Sequence, residues 1–315
     1  MKNLIPLFFL FLLSCGNDFS KNNSATNQSS EIELIVLGIA QDAGFPQAGC
    51  EKENCRLYWE GKEERRHATS LGLIDHTSGK YWLFEASPDL KDQLHAAQKF
   101  ARTTDSPSGI FLTHAHIGHY TGLMHFGHEV MGASGIPVYT MPRMNDYLKT
   151  NGPWKQLVDF GNIALQQMSA DSVVQLSENI KVIPFLVPHR DEYSETVGYR
   201  IETEHKSVLF IPDINKWDIW DKSIVEEISK VDYAFLDATF YDSDELPGRD
   251  MSEIPHPFVE ESIELFKDLP TSEKAKVHFI HFNHTNPLIL DSPERKEVES
   301  LGFNVAFEGM EINLD

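Results

Sequence analysis

The stretch FLTHAHIGHYTGL, residues 111–123, places three histidines within six residues: His114, His116 and His119. The apolar run before them predicts a buried β-strand, and the apolar positions after them predict a helix over 119–131. Alternate residues of an extended segment point to the same side. The rings of His114 and His116 can therefore approach one point, as the ligands of a metal ion do.

Further candidate ligands follow other predicted strands. His189 ends the strand VIPFLVPH, Asp213 ends VLFIPD, and His284 ends HFIHFNH. Loops at strand ends often carry function, and imidazoles with a carboxylate suit zinc or a similar divalent ion. In the last of these strands, His278 and His281 are interpreted as core or rim residues. The sequence thus predicts one metal centre with six ligands: His114, His116, His119, His189, Asp213 and His284.

Strands and helices alternate along the chain from Ile32 onward, and a second helix is predicted over 216–230. Helices cannot evenly cover one sheet of about a dozen strands. The pattern therefore predicts an α/β or α+β fold in which two sheets pack together under outer helices. The 315 residues, of which 41% are hydrophobic, suffice for one large domain.

The charge balance is acidic, with 48 Asp and Glu against 27 Lys and Arg and a net charge of −21. Such a surface repels phosphate backbones. A nucleic-acid partner is therefore not expected, and a small-molecule substrate is.

The chain begins MKNLIPLFFLFLLSCGN, a lysine followed by about ten apolar residues. The segment LLSC resembles a bacterial lipobox, which implies a lipoprotein signal peptide over 1–14 and lipidation of Cys15. A polar tether over 15–30 would then join a lipid anchor to a domain over 31–315. This predicts a bacterial cell-envelope protein, facing the periplasm or the cell surface. An ordinary secretory signal or a buried apolar N-terminus are the alternatives.

The order of the motifs HAHIGH, PHR, PDIN and FNHTNP resembles the metallo-β-lactamase superfamily, whose signature is H-x-H-x-D-H followed by a histidine, an aspartate and a histidine. The resemblance implies an αββα sandwich of two mixed sheets with outer helices and the metals at one edge. Within the superfamily, LGIAQDAGFPQAGC and NHTNP resemble the coenzyme PQQ synthesis protein B branch. The tRNase Z-like phosphodiesterases are near relatives of that branch.

Gly118 departs from this pattern, because the superfamily has there an aspartate that binds a second metal. The resemblance implies that His114, His116 and His189 form one complete position with Asp213 alongside. Three imidazoles leave an open coordination position, as in catalytic zinc sites.

The second position would retain His119, His284 and a shared Asp213, so that a second ion is expected to bind more weakly. The cofactor predicted is one or two Zn²⁺, and Fe²⁺ is also compatible with such a set. The nucleophile would be oriented by Asp213, or by water in the space that Gly118 leaves. Asp42, in the first loop, is a candidate hydrogen-bond partner for a ligand histidine.

Cys50 and Cys55 lie where these relatives carry a cysteine-rich loop that can hold a structural zinc. A middle cysteine is missing here. The pair is therefore interpreted either as a disulfide, favoured in an oxidising envelope, or as part of a zinc site.

The segment DATFYDSDELPGRDMSEIPHP resembles the tRNase Z-like region in which a strand-end acid is followed by a catalytic histidine. His256 would occupy that place, together with Asp213 as the predicted catalytic pair. The alternative for His256 is a histidine at the start of a helix.

The function expected from these features is metal-assisted hydrolysis of a small ester, lactone or phosphodiester by a metal-bound hydroxide. One alternative is a metal-dependent oxidative enzyme of cofactor biosynthesis, like coenzyme PQQ synthesis protein B. A second alternative is a non-catalytic lipoprotein that binds a metal or a ligand.

Overall fold

The computed structural model describes residues 31–315. The predicted signal peptide (1–14), the predicted lipidation site Cys15 and the predicted tether (15–30) lie outside this range. Among the described residues, no helix combines the length and apolar character needed to cross a membrane.

The first sheet has seven strands. They are β1 (Ile32–Gly38), β2 (Ser70–Asp75), β3 (Lys80–Phe84), β4 (Gly109–Phe111), β5 (Ile136–Thr140), β6 (Ile163–Gln167) and β14 (Glu311–Asn313). Their order is β14-β1-β2-β3-β4-β5-β6. The pairs from β14 to β3 are antiparallel, and those from β3 to β6 are parallel.

The second sheet is built in the same way. Its strands are β7 (Val174–Gln175), β8 (Lys181–Leu186), β9 (Val197–Glu202), β10 (Ser207–Ile211), β11 (Tyr233–Asp237), β12 (Val277–Ile280) and β13 (Asn304–Val305). Their order is β13-β12-β11-β10-β9-β8-β7. The pairs from β13 to β10 are parallel, and the others are antiparallel.

Helices connect the strands, and some of them pack against the sheets. They are α1 (Glu53–Trp59), α2 (Leu90–Ala101), α3 (Ile117–Tyr120), α4 (Pro142–Thr150), α5 (Trp154–Asp159), α6 (Ile224–Ser229), α7 (Val259–Phe266), α8 (Thr271–Lys274) and α9 (Pro293–Ser300). Short 3₁₀ helices span Thr121–Phe126, Trp217–Ile219, Met251–Glu253 and Pro287–Ile289.

Side-chain alternation along the strands explains the layers. In β1, Leu34 and Val36 join the core between the sheets, whereas Ile35 and Leu37 join the core under α2, α4 and α5. The ring centroids of Phe84 and Tyr199, from opposite sheets, lie 5.4 Å apart. The predicted αββα sandwich of two mixed sheets is confirmed.

Two predicted helices are shorter than expected. The helix expected over 119–131 consists of the single turn α3 and the 3₁₀ helix to Phe126, after which Gly127 is extended. The helix expected over 216–230 is divided, because the Ser223 side chain accepts a hydrogen bond from the Glu226 backbone N–H and starts α6 there. Residues 141–160, which sequence patterns do not place, form α4 and α5.

Candidate metal centre

The site lies where strands of both sheets end. His114 and His116 follow β4, His189 follows β8, and Asp213 follows β10. One potential ligand atom from each of these four residues lies within 4.8 Å of the others. We call this group the first position.

A second group shares the same carboxylate. His119 in α3, Asp213, and His281 directly after β12 bring their ligand atoms within 4.8 Å of one another. We call this group the second position. Together the two positions form the metal centre, which consists of His114, His116, His119, His189, Asp213 and His281.

The structure does not bring His284 to this centre, although the sequence pattern placed it there. His281 takes that place because it is the first residue after β12, and its backbone turns into the left-handed region at φ 71°. His284 lies three residues further along, where its Nδ1 is 2.9 Å from Asn283 Oδ1.

Partners on the sheet-one side fix two of the ligand rings. The Thr113 hydroxyl donates to Glu85 Oε1 at 2.5 Å and lies 2.9 Å from His114 Nδ1. His119 Nδ1 lies 3.2 Å from the same Glu85 oxygen. Glu85 is fully buried. Its carboxylate orients the His119 ring directly and the His114 ring through Thr113, in each case at Nδ1.

Partners on the sheet-two side repeat this arrangement. The Thr239 hydroxyl donates to Asp237 Oδ1 at 2.7 Å and lies 2.9 Å from His281 Nδ1. His189 Nδ1 lies 3.1 Å from Asn215 Oδ1. Each Nδ1 is thus held by the protein, which leaves Nε2 as the coordinating atom.

The free Nε2 atoms show that a metal fits this centre. Four of them are buried and have no hydrogen-bond partner among the described residues, namely those of His114, His119, His189 and His281. A buried polar atom left unpaired costs about 1–3 kcal/mol, so four at one place need a common partner.

Donor spacing supports the same conclusion. The Nε2 atoms of His114 and His189 both lie 3.3 Å from oxygens of Asp213, and His119 Nε2 lies 3.6 Å away. Ligands about 2.0–2.1 Å from a tetrahedral zinc stand roughly 3.3–3.4 Å apart. The residues present therefore suit a divalent ion such as zinc.

Unusual backbone conformations gather around the second position. Five non-glycine residues in 31–315 have a positive φ, and three of them are Asp42 (45°), Glu85 (82°) and His281 (71°). The left-handed conformation costs about 1–2 kcal/mol for such residues. Strain of this kind tends to concentrate at functional sites.

The carboxylates and imidazoles of the centre shift one another's pKa values. Burial would raise the pKa of Asp213, but His189, His256 and His114 outweigh it and hold that pKa well below its usual value. For His119, burial would lower the pKa, but the nearby carboxylates of Glu85 and Asp213 raise it to about 9. The centre therefore carries a surplus of carboxylate charge that attracts protons or a cation.

His256 lies beside the metal centre. Its Nδ1 lies 2.8 Å from Asp237 Oδ2 and 3.1 Å from Asp213 Oδ1. Burial opposes protonation, but Asp237 and Asp213 raise the pKa of His256 to about 10. The two carboxylates thus favour the protonated form of this ring.

No space is left beside Gly118, contrary to the expectation that water fills it. A Cβ added to Gly118 would stand 2.4 Å from Asp42 Cα and 2.9 Å from the Asp42 backbone oxygen. The loop after β1 packs directly against this glycine.

Cys50, Cys55 and His284 form a separate group, which we call the cysteine cluster. Their ligand atoms lie within 4.8 Å of one another, and Asn54 Nδ2 donates to the His284 backbone oxygen at 3.2 Å. Burial and Cys50 raise the pKa of the Cys55 thiol to about 11. His284 thus adds a third candidate ligand to the zinc interpretation, and Cys50 and Cys55 are free thiols in this structure.

A cavity of about 430 Å³ adjoins His256. Three basic side chains line it, those of Lys52, Arg190 and Arg249, against a single acid, Glu253. In a chain of net charge −21, this local excess of positive charge favours an anionic ligand.

Sequence reasoning missed three residues that hold the centre: Glu85, Asp237 and His281. Glu85 and Asp237 lie at or directly after strand ends, a signal that the histidine motifs overshadowed. Strand alternation, extended past Ile280, indicates a core or rim residue at His281, but β12 ends at Ile280.

Comparisons with known proteins agree with this architecture. The family model described as "Beta-lactamase superfamily domain" matches residues 81–282. The chain is 25% identical over 313 residues to the coenzyme PQQ synthesis protein B of Rhizobium meliloti, with 91% of this chain and 100% of the relative covered.

Two solved structures share the fold. The Zn²⁺-bound PqqB from Methylobacterium extorquens has a TM-score of 0.74 and 22% identity, and the match covers 90% of this chain and 100% of that one. A diphosphatase from the PhnP family has a TM-score of 0.62 and 21% identity, with coverage of 89% and 96%.

Proposed function

Since the chain belongs to the beta-lactamase superfamily, we propose that it is a metal-dependent hydrolase that cleaves an anionic small molecule, a phosphodiester in preference to a neutral ester or lactone. The observation that carries this proposal is the group of four buried, unpartnered Nε2 atoms around Asp213. The relatives support it, because a PhnP-family neighbour is a diphosphatase and the neighbouring PqqB binds zinc.

The residues of the metal centre would hold a divalent ion, zinc in this proposal, which would supply Lewis acidity and a nucleophilic water near neutral pH. The chain's own residues do the rest. His114, His119 and His189 present Nε2 while their Nδ1 atoms are held by the protein. Asp213 is shared by both positions and would bind at each of them.

His256 is the proposed proton donor to the leaving oxygen. It lines the cavity, and Asp237 holds its Nδ1, so that Nε2 is the donating atom. A protonated ring offsets the negative charge that develops on a leaving alkoxide.

Arg190, Arg249 and Lys52 are the proposed recognition groups for the anionic portion of the substrate. Hydrogen bonds to charged groups contribute about 1.5–3 kcal/mol each. A neutral ester or lactone of the same size gains less from them, because a hydrogen bond between neutral and charged partners is weaker than one between two charged groups. For this reason we favour a phosphodiester.

The test compares bis(p-nitrophenyl) phosphate with p-nitrophenyl acetate on the full chain, purified in detergent and loaded with Zn²⁺. We expect phosphodiester turnover that a chelator abolishes and Zn²⁺ restores. Arg190→Gln should raise KM for the phosphodiester roughly tenfold or more and leave KM for the acetate unchanged. A metal-loaded protein that turns over neither ester would leave the non-catalytic binding alternative.

The oxidative alternative rests on the likeness to coenzyme PQQ synthesis protein B along nearly the whole chain, and histidine–carboxylate sets also suit Fe²⁺. Oxygen consumption by the Fe²⁺-loaded protein, without turnover of either ester by the Zn²⁺-loaded one, would favour it.

The lipobox-like segment extends the proposal to location: the domain is held in the bacterial cell envelope by lipid on Cys15. Cys15→Ala should release the protein from the membrane fraction and abolish labelling by a radioactive fatty acid. Unchanged fractionation of this variant would contradict the anchor.

A further inference from the structure

The metal centre opens to solvent at His116. The side chain of His116 is 17% exposed, whereas the side chains of His114, His119 and His189 are at most 1% exposed. A group of the substrate that extends from the centre into solvent therefore passes beside the His116 ring.

The basic cavity adjoins the centre at a different ring. The ring centroid of His189 lies 5.0 Å from that of His116 and 5.4 Å from that of His256. His256 lines the cavity together with Arg190 and Arg249. A substrate bound across the centre thus has two ends, one in the cavity at His256 and the other beside His116.

Tyr193 lies next to the solvent opening, on the loop 190–196. The preceding residue, Glu192, brings Oε2 to 3.2 Å from His116 Nε2. Tyr193 itself is 61% exposed, and Ile117, the residue after His116, is 65% exposed. Two large apolar side chains are thus exposed beside the ligand ring that faces solvent. Exposed apolar groups with polar surroundings are typical of ligand-binding surfaces.

Polar contacts hold the loop of this tyrosine in place. The Ala115 N–H donates to Ser194 Oγ at 2.8 Å. The Arg143 N–H donates to the Glu195 carboxylate at 3.0 Å, and the Arg143 guanidinium donates to the Asp191 backbone oxygen at 2.7 Å. The exposed ring is therefore carried by a loop that is fixed on both sides of it.

Other aromatic rings pack behind Tyr193. Its ring centroid lies 5.4 Å from that of Tyr147. The Tyr147 hydroxyl is 2.8 Å from the Tyr120 hydroxyl, and the Tyr120 ring is 4.9 Å from that of the buried Trp154. A row of four rings thus reaches from the core to the edge of the metal centre. We call its two outer rings, Tyr147 and Tyr193, the aromatic platform.

The charges beside the platform indicate which kind of group it binds. Asp191 and Glu192 precede Tyr193 on the loop, whereas Arg190 and Arg249 line the cavity. An anionic group is therefore disfavoured at the platform and favoured in the cavity. A neutral ring, by contrast, can stack on an exposed tyrosine or pack against it edge to face.

We propose that the aromatic platform binds the ester group that stays on phosphorus, and that this retained group is an aromatic ring. The inference rests on the proposed function, because it concerns the same phosphodiester substrate. Hydrolysis replaces one ester group by the oxygen of water and keeps the other. The leaving oxygen is the one that His256 protonates at the cavity, so the retained group extends the other way, past His116 to Tyr193.

The experiment compares two substrates that share one leaving group and one charge. They are bis(p-nitrophenyl) phosphate, which retains an aryl group, and methyl p-nitrophenyl phosphate, which retains a methyl group. Both are measured on the Zn²⁺-loaded full chain. We expect the wild type to have a KM about three- to tenfold lower for the diaryl substrate, the size of one aromatic contact.

Tyr193→Ala should remove this difference. KM for bis(p-nitrophenyl) phosphate should rise to that of the methyl compound, while KM for the methyl compound and kcat for both stay unchanged. Tyr193→Phe keeps the ring and should keep the difference. Phe160→Ala, which removes another exposed aromatic ring, is the matched control and should behave as the wild type.

Calorimetric titration with diphenyl phosphate and dimethyl phosphate measures the platform without turnover. Diphenyl phosphate should bind the wild type about three- to tenfold more tightly than it binds Tyr193→Ala, and dimethyl phosphate should bind both equally.

The outcomes separate this inference from the proposed function. Equal KM and equal affinity in Tyr193→Ala and the wild type, with turnover retained, would overturn the platform and leave the hydrolase proposal intact. Binding of diphenyl phosphate that depends on Tyr193, without turnover of either substrate, would support the platform and overturn the hydrolase proposal. A Zn²⁺-loaded wild type that neither binds nor cleaves these compounds would overturn both.

Discussion

The metal centre and the cysteine cluster use similar ligands but are held together differently. In the metal centre, the Nδ1 atoms of four rings are fixed by buried partners from both sheets, and Asp213 is shared between two positions. In the cysteine cluster, a loop cysteine, a cysteine of α1 and a half-buried histidine meet without a shared carboxylate. The first group is ordered before an ion binds, whereas the second needs its ion or its bond to stay together. Changes in the first should therefore affect chemistry, and changes in the second should affect stability.

Among the variants considered, Asp213→Ala should have the largest effect, and it should act on the chemistry of the metal centre. It removes the carboxylate whose oxygens lie 3.3 Å from the Nε2 atoms of both His114 and His189, and with it the anion that the two rings share. We expect turnover of bis(p-nitrophenyl) phosphate to fall by more than about 100-fold, with loss of bound Zn²⁺. Asp218→Ala, at an exposed position, is the control. Near-normal turnover by Asp213→Ala would refute the proposed centre.

Glu85→Gln should have the next largest effect. Glutamine keeps an oxygen that accepts the hydrogen bond from Thr113, but it removes the charge that orients His119. Loss of such a partner usually costs about 10–100-fold in metal affinity or activity. Zn²⁺ titration and kcat should both report it, and Glu63→Gln should report nothing. Wild-type affinity in Glu85→Gln would mean that backbone packing alone orients the ligands.

Cys55→Ser tests the cysteine cluster, and it should lower the stability of the protein without changing its turnover. We expect one Zn²⁺ fewer per chain and a free energy of unfolding lower by about 2–5 kcal/mol, with kcat unchanged. Reductant should have no effect on the wild type if the cluster binds zinc. Should Cys50 and Cys55 resist alkylation in denaturant until they are reduced, the disulfide interpretation is correct instead.

Glu245→Gln should give the smallest effect, confined to the turn that carries His284. The Glu245 carboxylate accepts the hydroxyl of Thr285, and burial raises its pKa from 4.5 to about 7. A raised carboxyl pKa means that the folded state binds the proton more tightly. Its contribution to stability is therefore complete below about pH 4.5 and is lost as the pH rises through about 7.

The wild type should thus lose at most about 3 kcal/mol, relative to Glu245→Gln, between pH 4.5 and pH 8. Denaturant unfolding of both proteins at the two pH values measures it. Parallel pH profiles would show that this carboxyl does not titrate in that range.

Much of the fold was predictable, because strand alternation and helical spacing are local signals. The strand-end positions of His114, His189 and Asp213 were predictable for the same reason. His281 was not, because no local pattern indicates that a histidine after a strand adopts φ 71°. The sequence indicates Asp42 only as a hydrogen-bond partner for a ligand histidine. Its contact with Gly118 was not predictable, because the loop after β1 that carries Asp42 is held by backbone hydrogen bonds to Phe282, which follows β12 of the other sheet.

The left-handed conformations of Asp42, Glu85 and His281 have a consequence for anyone who evolves this protein in the laboratory. Glu85 and His281 are fully buried, so glycine at either position would open a cavity that costs more than the roughly 1 kcal/mol of strain it relieves. Asp42 is only half-buried, so glycine there relieves the strain at little cost in packing. A library selected for heat resistance alone should therefore accumulate glycine at residue 42 and keep Glu85 and His281, and with them the orientation of the ligand histidines.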